Sequence, residues 1–159
     1  MTVLKGLPPI IDAQAHILIL GSFPSPASLA ARQYYAHRQN QFWRVLAAVL
    51  DQPLADMDYA ARLAAVKAAG IAIWDVYASC ERAGSLDSAI RGGEPNEFGY
   101  LRRLVPDLAR VCFNGQTAAK FEKVLAGLGY ETVVLPSTSP AYTLAFETKL
   151  DRWWQALKV

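Results

Sequence analysis

Histidine and cysteine are scarce in this chain of 159 residues, which holds two of each. Cys80 and Cys112 lie far apart, and neither has another cysteine or a histidine beside it at metal-ligand spacing. A disulfide framework, a zinc site and an iron–sulfur cluster are therefore not expected. Long apolar runs are missing too. The longest near the start, residues 17–20, is far too short to cross a bilayer, and no basic region followed by a long apolar segment precedes it. A cytoplasmic chain with no membrane attachment is expected. Net charge is almost absent: 16 basic against 14 acidic residues leave +2, too little to mark a nucleic-acid binder by itself.

Two common site motifs are also lacking. A phosphate cradle after the first apolar run would need G-x-G-x-x-G or G-x-x-x-x-G-K-[ST], and Gly21-Ser-Phe-Pro-Ser25 supplies neither. No G-x-S-x-G occurs, and only His16 and His37 could serve as an imidazole base, which disfavours a serine hydrolase.

What is present suffices for one core. Hydrophobic residues make up 53% of the sequence, and no repeat, low-complexity tract or linker divides it, so residues 1–159 are expected to form one domain. Residues 16–20 and 71–74 read as buried strands, as do 111–113 and 132–135. Apolar positions at helical spacing follow Asn40 as far as Pro53, with Asn40 as a capping candidate. Further helices are expected over 58–69, closed by Gly70, and over 100–104, 116–128 and 146–157. The segment 75–98 shows little periodicity and reads as a long loop. Strands alternating with helices predict a three-layer α/β/α fold around a central, mainly parallel four-stranded sheet. In such sheets ligands bind beyond the carboxyl ends of the strands, which here are polar or rich in glycine and proline.

Several side chains near those ends carry two readings. Asn40, flanked by Gln39 and Gln41, could position a water or hydrogen-bond a heterocycle while staying neutral; it could equally cap the helix. Asp75 could be a general base or could hold neighbouring loops. Tyr35 could stack on a base or fill the core, and Asn114 could read a base edge or shape a turn. From 32 to 44 three arginines and His37 occur with no acid and with four aromatic residues between them, a mixture suited to phosphate contacts beside a stacking surface and also to a solvated loop.

Over nearly its whole length the chain resembles the uracil-DNA glycosylase superfamily, in particular its hypoxanthine-DNA (deoxyinosine) glycosylase branch. The resemblance is carried by Leu18-Ile-Leu-Gly-Ser-Phe-Pro-Ser25, by Tyr34-Tyr-Ala-His-Arg-Gln-Asn-Gln-Phe-Trp43, by the segment starting at Asp75 and by Phe113-Asn-Gly115. It is completed by Leu135-Pro-Ser-Thr-Ser-Pro-Ala-Tyr142, in the place of the superfamily's second motif. It implies base flipping and hydrolysis of the glycosidic bond in DNA containing a deaminated base, by a monomer that needs no metal or organic cofactor.

The departures assign the roles. Phe23 stands where uracil-specific members carry a catalytic aspartate or asparagine, so the resemblance moves the catalytic amide to Asn40. Ser137 replaces the usual histidine or asparagine of the second motif, and Ala141 matches the residue that wedges into the base stack. The resemblance places Gly21, Ser22, Phe23, Tyr35, Asp75 and Asn114 around the base. It places Ser25, His37, Arg38, Ser137, Thr138, Ser139, Pro140 and Ala141 against the DNA. Alternatives are a uracil or G/U(T)-mismatch glycosylase, or a DNA- or nucleotide-binding protein of the same fold without chemistry.

Overall fold

The structure is a computed structural model and describes residues 2–158. Its strands are β1 (Leu4–Lys5), β2 (Ile17–Gly21), β3 (Ile71–Asp75), β4 (Tyr77–Glu81), β5 (Arg91–Pro95), β6 (Arg110–Asn114) and β7 (Glu131–Leu135). Its helices are α1 (Pro26–Ala31), α2 (Phe42–Leu50), α3 (Tyr59–Ala68), α4 (Leu101–Leu104), α5 (Gln116–Ala119), α6 (Glu122–Gly127) and α7 (Phe146–Leu157).

Every residue of β2 is buried, as a strand covered on both faces requires. Alternation sends Ile17 and Ile19 into a cluster with Ile71, Ile73 and Cys112, packed under α2, α3 and α7 through residues such as Phe42, Leu46, Val66 and Trp153. Leu18 and Leu20 enter a second cluster on the other face, with Ala72, Val111, Phe113, Leu101, Ala118 and Leu125. Two cores on opposite faces of one sheet make the three layers. The sheet runs β3-β2-β6-β7, and all its pairings are parallel.

The segment 75–98, expected as a loop, holds β4 and β5. They pair antiparallel with each other and, through β4, with β1 in a separate three-stranded sheet. The sequence hides this sheet because its strands are half-exposed and polar, and its hydrogen bonds come from distant backbone. Helix α1 was also unexpected, since Pro24 and Pro26 suggest a loop. Pro26 sits in the first turn and Ser25 caps it, accepting from Ser28 N at 3.1 Å, where a proline costs no hydrogen bond. The helix expected over 116–128 is two short helices broken at Lys120 and Phe121. Asn40 stands one position before the cap residue Gln41, yet its Oδ1 still accepts from Phe42 N at 2.9 Å.

Candidate active site

The carboxyl ends of β2, β3 and β6, with the chain after β7, surround a cavity of about 320 Å³, at the small end of ligand pockets. Gly21, Ser22, Phe23, Ser25, Tyr35, His37, Asn40, Asp75 and Asn114 all line it, as do Ser137 to Ala141. Arg38 is exposed and stands outside its wall. Sequence reasoning missed Ser28, Tyr34 and the group Ser85, Leu86 and Asp87, which also face the cavity. The last three come from the β4–β5 connection, whose position no local pattern reveals.

One chain of hydrogen bonds organises the inner wall. Asn114 Nδ2 donates to Tyr35 Oη at 3.2 Å and to Thr138 Oγ1 at 3.0 Å, while its Oδ1 accepts from Thr138 N at 3.0 Å. The Thr138 hydroxyl in turn donates to Asn40 Oδ1 at 2.8 Å. Asn40 Oδ1 thus receives two donors, Phe42 N–H and Thr138 O–H, which fills both lone pairs of an amide oxygen. No described residue accepts from Asn40 Nδ2, and the residue is half-buried in the cavity wall. Its two N–H donors are therefore the groups left for a ligand.

Thr138, expected against DNA, is instead fully buried. Its hydroxyl is enclosed between two amides and cannot reach a phosphate. Asn114 is also buried, with both amide hydrogens engaged, so reading a base edge through them requires exchanging a partner. Ser25 spends its hydroxyl on the α1 cap and on Ser28 Oγ at 3.1 Å. Phe23 is a buried wall with the Arg82 guanidinium 5.4 Å from its ring centre.

Tyr35 adopts φ = +55°, a left-handed conformation that costs a bulky residue about 1–2 kcal/mol. It is held there by stacking on Phe42, with ring centres 3.8 Å apart and planes 15° apart, and by Asn114. Phe42 occupies one face of the ring, so a base could stack only on the other. Burial, and then the charge of Asp75, push the Tyr35 hydroxyl well above its usual range, which keeps it a neutral donor. Gly21 is what allows the crowding: a Cβ there would lie 2.6 Å from Asp75 Oδ1 and 2.8 Å from Tyr35 Oη. Asp75 is 5% exposed. Burial, then Asp87, raise its carboxyl to about 7 against the opposing pull of Arg82.

The loop 137–142 forms the rim. Ser139 N donates to Ser137 Oγ at 3.1 Å and Ala141 N to Ser139 Oγ at 3.2 Å, so these hydroxyls shape the loop while Pro140 and Ala141 stay exposed. Beneath it lies Lys149, 1% exposed. Its Nζ donates to Gln41 Oε1 at 3.0 Å, Ser139 O at 3.3 Å and Tyr142 O at 2.7 Å. This buried cation ties the rim to α2 and α7, and nothing in its local sequence marks it. Among the described residues no three histidine, cysteine or acidic side chains gather as a metal site would need, and no helix is long and apolar enough to cross a membrane.

Residues 8–158 match the uracil DNA glycosylase superfamily. Two curated relatives are named hypoxanthine DNA glycosylase. The one from Methanosarcina barkeri is 38% identical over 97% of this chain and 98% of its own; the one from Methanosarcina acetivorans is 41% identical over 96% of each. The solution structure of a candidate uracil DNA glycosylase from Methanosarcina acetivorans superposes with a TM-score of 0.91 at 39% identity, covering 99% of this chain and 98% of that one. With the first-motif loop, the Tyr34–Trp43 segment and the second-motif loop gathered around one cavity, the chain belongs to the uracil DNA glycosylase superfamily.

Proposed function

We propose that this protein is a monofunctional DNA glycosylase of base-excision repair that extrudes a deaminated nucleotide, hypoxanthine foremost, and hydrolyses its glycosidic bond. The full-length relatives named for hypoxanthine support the choice of base. It acts as a single-domain monomer in the cytoplasm.

The observation that carries the reading is the locked amide of Asn40. Phe23 offers no polar group at the first motif, and Asn40 Oδ1 is saturated by Phe42 and Thr138. An amide in that state presents donors only. Donors suit the negative charge that develops on the departing purine, and in a dry pocket such an interaction is commonly worth about 3–4 kcal/mol of barrier. They suit an attacking water poorly, because an N–H held on the water's lone pair weakens it as a nucleophile. Asn40 therefore steadies the leaving base. Tyr35 offers its free ring face to that base, and Gly21 and Ser22 let backbone approach it. The rim residues Ser137, Ser139, Pro140 and Ala141, with His37 and Arg38 nearby, contact the DNA on either side.

A single-turnover assay on a duplex carrying one deoxyinosine tests this. The wild type is expected to release hypoxanthine and leave a site that breaks only after alkali, whereas Asn40→Ala, shown folded by its melting curve, is slower by about 10²–10³-fold. A variant as fast as the wild type removes Asn40 from the chemistry. A salt-sensitive complex without breakage marks a binding protein instead.

A further inference from the structure

Asp75 ends β3 directly beside Gly21 of β2 in the parallel register, inside the cavity wall. Its carboxyl is left open by everything around it. Oδ2 is buried and has no hydrogen-bond partner among the described residues. A carboxylate at a strand end ordinarily accepts from nearby backbone N–H groups, and here those groups are committed elsewhere. Val76 N donates to Gly21 O at 2.8 Å and Tyr77 N to Ser22 O at 3.2 Å. Asn96 Nδ2 reaches Asp75 at 2.8 Å, but at the backbone oxygen.

The nearest cation is similarly spent. Arg82 donates from Nε to Gly84 O and from Nη2 to Pro24 O, both at 2.8 Å. Across the cavity Asp87 accepts from Ser22 Oγ at 2.7 Å and adds a like charge. A carboxylate without donors, beside another carboxylate, is costly to bury. The neutral acid is the economical form, and its O–H then needs an acceptor. No described residue hydrogen-bonds to Oδ2, and a hypoxanthine ring in the cavity carries acceptor nitrogens.

We infer that Asp75 is the general acid of the reaction: its neutral carboxyl gives a proton to a ring nitrogen of the extruded purine as the bond from sugar C1′ to N9 breaks. The inference rests on the glycosylase reading above. The electron pair of the broken bond stays on the base, which leaves uncharged with the added proton. A water oxygen bonds to C1′, and the proton this water sheds returns to the Asp75 carboxylate, restoring the acid. Asn40 and Asp75 then act on the same charge, one by hydrogen bonding and one by proton transfer.

The electrostatics agree. Burial and Asp87 together outweigh Arg82 and bring the Asp75 carboxyl to about 7, so much of it holds a proton at neutral pH. The Tyr35 hydroxyl stands beside it at Gly21, the Tyr34 hydroxyl is turned to Leu7 O and Pro8 O, both tyrosines stay protonated, and His37 lines the same cavity.

The test is the pH profile of single-turnover hypoxanthine release between pH 5.5 and 9. The wild-type rate constant is expected to be level below about 7 and to fall towards tenfold per unit above it. Asp75→Asn is slower by about 10²–10⁴-fold and lacks that decline, while His37→Gln keeps it. The Asp75 carboxyl carbon, assigned in the wild type by carbon-13 NMR through its own backbone resonances, titrates near 7 and supplies a readout independent of the variant's folding. A wild-type rate that is flat or rising over this range overturns the acid role alone, as does a decline that survives Asp75→Asn or a carboxyl carbon titrating in the ordinary range. A wild type that releases no base at any pH overturns the glycosylase reading and the acid role with it.

Discussion

The hydroxyl of Thr138 joins two amides, donating to Asn40 Oδ1 at 2.8 Å and accepting from Asn114 Nδ2 at 3.0 Å. It fixes which end of Asn40 faces the cavity. Thr138→Val keeps the shape and removes the link, leaving one donor and one acceptor short of a partner. Stability should drop by about 1–3 kcal/mol, and excision should slow roughly tenfold with DNA affinity little changed; Thr138→Ser should restore most of both. Denaturant melts alongside single-turnover and binding assays check this.

Asp75→Asn should change how stability depends on pH. The folded carboxyl sits near 7, whereas an aspartate in the unfolded chain sits near about 4. Between those values the folded protein holds a proton that the unfolded chain has lost, so raising the pH lowers stability by about 1.4 kcal/mol per unit. The favourable contribution is complete below the unfolded value and is lost as pH rises through the folded one. Relative to the wild type, Asp75→Asn should gain on the order of 3–4 kcal/mol between pH 4 and 8. Urea unfolding of both proteins across that range measures the gap.

Gly21→Ala should damage stability and activity together. Its Cβ would stand 2.6 Å from Asp75 Oδ1 and 2.8 Å from Tyr35 Oη, so both side chains must give way, at a cost of about 1–3 kcal/mol. Gly99 has nothing within 4 Å of an added Cβ, and Gly99→Ala should stay within about 0.5 kcal/mol of the wild type. Thermal melts and excision rates of the pair separate crowding at the site from the general effect of adding a methyl group.

Lys149→Met should loosen the rim. Three acceptors, Gln41 Oε1, Ser139 O and Tyr142 O, lose their donor, and the loop 137–142 loses its tie to α7. DNA binding should weaken by about 10-fold or more, the equivalent of one or two hydrogen bonds to a charged group, with a smaller change in the rate of bound substrate. Titration of lesion duplex under single-turnover conditions separates the two effects.

How much of this is legible without coordinates depends on where the forces are local. Strand β2 is visible because four aliphatic residues buried on both faces leave a continuous apolar run, and α2 because Phe42, Trp43, Leu46, Val49 and Leu50 repeat at helical spacing. Strands β4 and β5 are not. Tyr-Ala-Ser-Cys-Glu and Arg-Gly-Gly-Glu-Pro carry no clear alternation, and their order comes from pairing with each other and with Leu4–Lys5. In the site, the position of Asn40 is readable from its motif, but the direction of its amide is not. That direction is set jointly by the nearby Phe42 N–H and by Thr138, 98 residues further along the chain. Lys149 is invisible for a related reason: a lysine on an exposed-looking helix gives no sign that it is enclosed by three oxygen atoms.

The cavity's floor and part of its side wall belong to different sheets. Gly21, Asp75 and Asn114 stand on the parallel sheet, while Ser85, Leu86 and Asp87 stand on the β4–β5 connection, which joins the floor covalently through Val76. That division separates two kinds of evolutionary change. Residues 83–86 and 88–90 can be lengthened, shortened or recharged to admit a different base without altering a parallel pairing, whereas a change at Gly21 or Asn114, or in the charge of Arg82 or Asp87, reaches the framework around Asp75.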